Sequence, residues 1–177
     1  PTHFQRGFNN MLDPYYERMV FIQAEDDYIN SGNLMPESEE QAVFLATCSL
    51  VLAFGEDTPN TLEGLIANSV NDFVPASFKD RHSLGDWGRK ILKVRNSPVI
   101  LDTSEEDLQW EYIKIAQDNP FYGMHWFYVH KLSDNIVFMQ SFPYDLIVGF
   151  NFRGMHIFDS AKTLLHMVAY ADLVRWG

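Results

Sequence analysis

Apolar positions recur at helical spacing from Asp13 to Gln117 and then give way to short, β-branched and aromatic runs. Asp13-Pro14 joins a capping residue to a first-turn proline and predicts a helix to Asn30, where Ser31-Gly32 stops it. Met35-Pro36-Glu37 predicts a second helix, with Glu37, Glu39 and Glu40 in its first turn, at the positive end of the helix dipole. Its body (Ala42, Val43, Leu45, Ala46, Leu50, Val51, Phe54) is apolar nearly all round, which places it at the centre of a bundle. Thr58-Pro59 predicts a third helix to about Asp72; Pro75 interrupts, and Ser83 opens a fourth to about Arg95. Thr103-Ser104-Glu105-Glu106 reads as a capping box, and the helix behind it sets Leu108, Tyr112 and Ile115 on one face. Short loops between these helices predict a compact bundle.

Beyond Asn119-Pro120 the pattern is that of antiparallel sheet. Tyr122–Val129 is rich in strand-forming residues, Leu146–Phe152 is a second apolar run, and Arg153-Gly154 turns into Met155–Phe158 as a hairpin. Asp159-Ser160 is a further turn, Thr163–Tyr170 fits strand or helix, and Leu173–Trp176 reads as a short last strand. These strands are too few to close a sandwich or barrel. No internal repeat or low-complexity stretch interrupts either half.

Composition sharpens this division. The 177 residues are 46% hydrophobic, enough for a packed core and against disorder of the whole chain. The net charge is −11, which repels phosphate backbones and makes nucleic acid a poor partner. Lys131, Arg153, Lys162 and Arg175 cancel Asp134, Asp145, Asp159 and Asp172, so the whole excess lies in the helical half. Cys48 is the only cysteine and sits in an apolar run, so it reads as a core side chain, with no intrachain disulfide and a reducing compartment. The longest apolar stretch, Ala42–Phe54, is too short to span a bilayer. The first residues lack the basic-then-apolar pattern of a secretion signal, and a start at proline leads to the expectation of a fragment.

Several segments carry a family resemblance. Phe21-Ile22-Gln23-Ala24-Glu25-Asp26-Asp27-Tyr28, followed by a glycine and an acidic helix start, resembles the opening of a FERM middle lobe. Ala42–Gly55 followed by Glu56-Asp57 looks like that lobe's central helix and its exit. The most specific piece is Glu111–Asp118 with Pro120-Phe121-Tyr122-Gly123 and Trp126-Phe127, similar to the junction into the third lobe. Leu146–Asn151, Gly154–Asp159 and Leu173–Trp176 resemble strands of that third lobe. The likeness runs from Leu12 to the end and is loosest between Ser69 and Ser97. The extended Lys131–Tyr144 connection and the spacing from Gly154 to Trp176 are more similar to the FERM tails of unconventional myosins and some kinesins than to ezrin-type linkers.

The resemblance implies an α+β fold: an acyl-CoA-binding-like helical bundle followed by a partial antiparallel pleckstrin-homology-like β-sheet. Residues 1–11 would be a linker or the end of a preceding lobe, 12–118 the helical middle lobe and 119–177 part of the third. By the family pattern, the ubiquitin-like first lobe and the last strands and closing helix of the third would fall outside these 177 residues, and with them the family's usual peptide groove. The implied role is a non-catalytic cytoskeletal adaptor, cytoplasmic and without a cofactor, docking cargo or regulators in a motor-protein tail. Its partners would be cargo tails, cytoskeletal filaments or the motor head, with weak contact to an anionic membrane. A structural subunit of a large cytoskeletal assembly, an ezrin-like membrane–cytoskeleton linker and a small-ligand carrier are the alternatives.

Among candidate sites, the basic stripe Arg89, Lys90 and Lys93, with Arg95 at its end, stands out on the acidic half. It suits an anionic headgroup, an acidic filament or an acidic peptide; equally, it can neutralise acidic helices beside it. The aromatic cluster Phe121, Tyr122, Trp126, Phe127 and Tyr128 reads as packing, on a strand covered on both faces. His125 and His130 have opposite parity on one strand, and with His156 and His166 they form no metal-binding spacing. There is no Gly-x-Ser-x-Gly elbow and no phosphate-binding glycine loop. Glu25-Asp26-Asp27 and Glu105-Glu106-Asp107 splay around helices and read as solvated faces or cap charges.

Overall fold

The computed structural model describes residues 14–131 and 141–172. The fold is α+β, and the described residues form two compact units that divide between Pro120 and Phe121. The Asp13 cap, residues 1–11, the Leu173–Trp176 strand and most of the Lys131–Tyr144 connection lie outside the described residues.

The helical unit runs α1 (Pro14–Ile29), α2 (Glu39–Phe54), α3 (Leu62–Ala67), α4 (Leu84–Arg95), α5 (Pro98–Leu101) and α6 (Glu105–Asp118). Short 3-10 turns lie at Gly55–Asp57, Val70–Phe73 and Lys79–Arg81. As its composition predicts, α2 is the central helix: every residue from Leu45 to Leu50 is buried, including Thr47, Cys48 and Ser49. It packs against α4 on one side and α6 on the other. Ala42, Val43, Ala46 and Leu50 share a core with Leu65, Val74, Phe78, Trp87 and Ile91. On the α6 side, Tyr112 meets Phe21 and Tyr28 of α1 edge-on, with ring centroids 5.1 and 6.0 Å apart. Cys48 is buried and free, and burial pushes its thiol up to about 12.

Three predicted helix starts move. The second helix begins at Glu39 because Ser38 is the residue that caps, accepting from the Gln41 amide at 3.1 Å. Gln41 Oε1 in turn accepts from the Glu37 N–H at 2.7 Å, so Glu37 lies outside the first turn. Thr58-Pro59 does not open the third helix: the Thr58 hydroxyl donates to the Gly55 carbonyl, and Thr61 caps instead, accepting from Gly64 at 3.1 Å. That helix also stops at Ala67, since Ser69 turns into a left-handed conformation at φ 54°. The capping box slides by one, with Ser104 accepting from the Asp107 amide at 3.1 Å while Thr103 donates back to Val99. On α6 the buried face is Leu108, Tyr112, Ile113 and Ala116, leaving Ile115 half-buried at its margin.

The second unit is an antiparallel sheet of β1 (His125–His130), β2 (Asp145–Asn151), β3 (Gly154–Phe158) and β4 (Leu164–Val168), paired in chain order. The hairpin pairs Asn151 with Gly154, and the Asn151 side chain accepts from the Arg153 amide inside the turn. Gly154 has φ 147°, and a methyl group there would collide with the Val168 carbonyl on β4. Asp159 Oδ1 caps the next turn, accepting from Ala161 and Thr163 at 2.9 and 2.8 Å. Within Thr163–Tyr170 the strand is β4, Leu164–Val168, and Tyr170 opens a 3-10 turn to Asp172.

β1 starts three residues later than the aromatic run, because residues 120–123 form a turn closed by Met124 N–H to Phe121 O at 3.0 Å. Nor is the strand covered on both faces. Trp126 packs on Phe121 and Phe158, but Phe127 is 52% exposed and Tyr128 81%, and these two point to opposite faces. Among the described residues β1 is also an outer strand, hydrogen-bonded to β2 alone.

Candidate interaction surfaces

The basic stripe lies on α4, whose opposite face buries Trp87, Gly88 and Ile91. Amphipathic spacing therefore turns Arg89, Lys90 and Lys93 outward together. Arg95 does not join them. At about 100° per residue it falls roughly 160° around the helix from Lys93, and its guanidinium donates to the Thr58 carbonyl at 3.3 Å and to Asn96 Oδ1 at 3.0 Å.

Two of the remaining three are engaged within the unit. Lys90 Nζ donates to Glu39 Oε1 at 2.6 Å, while His82 Nε2 meets the other oxygen of that carboxylate at 2.8 Å. Arg89 pairs with Asp86 at 2.6 Å in an exposed i,i+3 contact. The hydrogen bond from Lys90, then that from His82, holds the Glu39 carboxyl down at about 2. Asp86 is lowered too, first by the Ser83 hydroxyl and then by Arg89. Lys93 is exposed and has no ion pair among the described residues. The neutralising reading thus accounts for Lys90 and, more weakly, Arg89.

Glu39 was legible in the sequence only as a first-turn charge. Its partners stand 43 and 51 positions away, and no local pattern encodes such a meeting. Asn119 is a second residue the sequence marks only as a boundary. Buried at the end of α6, it donates to the Met35 carbonyl at 2.9 Å and lies 3.4 Å from the Tyr28 hydroxyl. Burial raises the Tyr28 phenol to about 12.

The outer side of β1 is the other exposed recognition feature. No strand pairs with it among the described residues, so a row of backbone groups faces outward. Phe127 stands against Phe150 at 5.8 Å. At the far end of β1, His130 stacks on Tyr144 at 5.5 Å and meets Asp145 Oδ1 at 2.7 Å, directly across the strand pair. His156 is buried over Phe158, and burial lowers its pKa. His125 and His130 are exposed at opposite ends of β1, and among the described residues no group of His, Cys, Asp or Glu is arranged to hold a metal ion.

A helical unit with a buried central helix followed by a four-stranded antiparallel meander is the arrangement the Glu111–Gly123 junction implied. The family model for the FERM central domain matches residues 9–127. The chain belongs to the FERM family. FERM domains are non-catalytic protein-interaction modules. Among solved structures, the C-terminal MyTH4-FERM domain of human myosin 7b, determined in complex with the harmonin-a PDZ3 domain, is similar at 18% identity with a TM-score of 0.69. That match covers 95% of this chain and 34% of the myosin chain. The MF2 MyTH4-FERM domain of Dictyostelium discoideum myosin VII matches at 16% identity and TM-score 0.68, over 96% of this chain and 31% of that one. The MF1 domain of the same myosin matches less closely, at 17% identity and TM-score 0.55, over 93% and 31% of the two chains. At such identities the likeness is one of fold, and this FERM chain spans about a third of the structures it resembles. No helix among its described residues is long and apolar enough to cross a membrane.

Proposed function

We propose that this FERM chain is part of a docking module in the tail of a motor protein of the unconventional myosin kind, working in the cytoplasm on cytoskeletal cargo or regulation. The helical unit serves as a rigid support, and the sheet unit receives an extended segment of a partner along β1. The observation that carries this reading is the outer side of β1, unpaired among the described residues, where hydrogen-bonding groups stand beside the exposed Phe127 and Tyr128. Strand addition uses such an edge for affinity and the flanking side chains for specificity. The match to the FERM central domain and the fold shared with myosin MyTH4-FERM structures support the parent class.

The same proposal assigns a secondary contact with an acidic partner to what remains of the basic stripe, Arg89 and Lys93. An ezrin-like membrane linker draws less support, since Lys90 and Arg95 are turned to partners inside the helical unit.

The test is a peptide-display selection against the chain, followed by calorimetry and amide chemical-shift mapping. Selected peptides should bind reversibly and shift the amides of His125–His130, and N-methylation of alternate peptide residues should abolish binding. Binders that leave β1 unshifted would reject the edge-strand reading. Isolation of the parent protein in fixed stoichiometry with one filament component, and no reversible peptide binding, would favour a structural subunit.

A further inference from the structure

The helical unit carries a groove that neither the stripe nor the sheet edge explains. It has a volume of about 290 Å³, at or just below the small end of ligand pockets, which run from about 300 to 1,000 Å³. Its walls come from α1, the C-terminal turn of α2 and the 3-10 turn Val70–Phe73. Ile22, Ala53 and Phe73 supply the apolar part of its surface, which is as much polar as apolar, and Ile22 is 46% exposed. Glu25, Asp26 and Asp72 add three carboxylates and no basic side chain lines the groove.

Arg18, on the same helix, acts on Glu25 through space, but no basic side chain stands at ion-pair distance from the three carboxylates among the described residues. The hydrogen bond to the Asp26 side chain comes from the neutral amide of Asn30, at 3.0 Å. The setting contrasts with Glu39, which two cationic or basic groups grip a short distance along the chain. Read from sequence, Glu25 and Asp26 are solvated helix charges; folding brings Asp72 to them across a gap of more than forty positions and adds an apolar floor.

We infer that this groove is a docking site for an arginine-bearing segment of a partner protein, its aliphatic stem along Ile22, Ala53 and Phe73 and its guanidinium among Glu25, Asp26 and Asp72. Charge complementarity selects a cation. The apolar lining selects one with a hydrocarbon stem, and a planar guanidinium spans neighbouring carboxylates better than an ammonium does. The volume admits one or two side chains, not a cofactor. Burial raises the pKa of Glu25, so its charge is partly desolvated and a cation beside it is worth more than at an open surface. This site lies wholly on the helical unit and goes beyond the edge-strand reading, which can fail without it.

The test titrates the chain with a short blocked peptide that alternates leucine and arginine, read by fluorescence anisotropy and by methyl and aromatic chemical shifts. Saturable binding is expected, with the Ile22, Ala53 and Phe73 signals moving. Glu25→Gln with Asp72→Asn should weaken it roughly tenfold or more. A control of equal charge change, Glu63→Gln with Glu106→Gln, should leave affinity within about twofold, and circular dichroism should show all variants folded. Equal weakening by the control would reduce the effect to diffuse acidity and overturn the site. So would shifts confined to other surfaces, or equal binding of a leucine–glutamate peptide. Binding of ethylguanidinium alone as tightly as the peptide would reassign the groove to a small ligand.

Discussion

Glu39 shows how much one side chain ties together. Its carboxylate joins the first turn of α2 to Lys90 of α4 and to His82 before that helix, through contacts of 2.6 and 2.8 Å. Its pKa falls from 4.5 to about 2 in the fold. A lowered carboxyl stabilises the native state fully above its unfolded value and loses that effect as pH drops through the folded one. The Glu39→Gln variant should therefore melt below the parent protein at neutral pH. The gap should close as pH falls from about 4.5 toward about 2. Thermal melts of both proteins across that range would check it; a constant gap would show that the pair contributes through shape and not charge.

At the scale of the element, capping decides where helices start, and four described helices start on a Ser or Thr that accepts from the amide three residues on. Ser104 also donates to Asp107 Oδ2 at 2.7 Å and closes a reciprocal pair, as Ser83 does with Asp86. Ser104→Ala should cost about 1 kcal/mol, and Ser104→Asp should recover most of it, because either oxygen can accept from the Asp107 amide. Thr103→Ala, whose hydroxyl donates backward to Val99, should cost less. Urea denaturation of the three variants distinguishes the true cap from the neighbour that the sequence pattern favoured. The same lesson holds at Thr58-Pro59: a cap-plus-proline signal is local, but the Thr58 hydroxyl had a closer acceptor in the turn behind it.

For the whole molecule, the excess of acidic charge is concentrated in the helical half, and one short basic face interrupts it. The fold spends Lys90 on Glu39 and turns Arg95 to the other side of α4, so the outward positive charge reduces to Arg89 and Lys93. Near an anionic surface each basic residue contributes about 1 kcal/mol. Arg89→Glu with Lys93→Glu should therefore weaken an acidic partner at least roughly thirtyfold. The melting temperature should barely change, because the Arg89–Asp86 contact is exposed and such pairs contribute little. Lys90→Glu should instead unsettle the fold by placing like charges together at Glu39. Co-sedimentation with vesicles or filaments, run beside thermal melts, separates the two effects; equal binding by parent and double variant would remove the stripe from the functional surface.

The sequence alone determined the fold class, the central position of α2, the change from helix to sheet near Asn119-Pro120 and the FERM family. The first three follow from hydrophobic period and turn residues, which act within a few positions of one another, and the family from the likeness of whole segments such as Glu111–Asp118. Tertiary structure decided which capping residue wins, that β1 is an edge strand among the described residues with Phe127 and Tyr128 exposed, and that the stripe loses Arg95. It also decided that Glu25 and Asp26 meet Asp72 in an apolar groove. Each of these depends on groups far apart in the chain arriving within a few ångströms, and no local pattern of residues carries that distance.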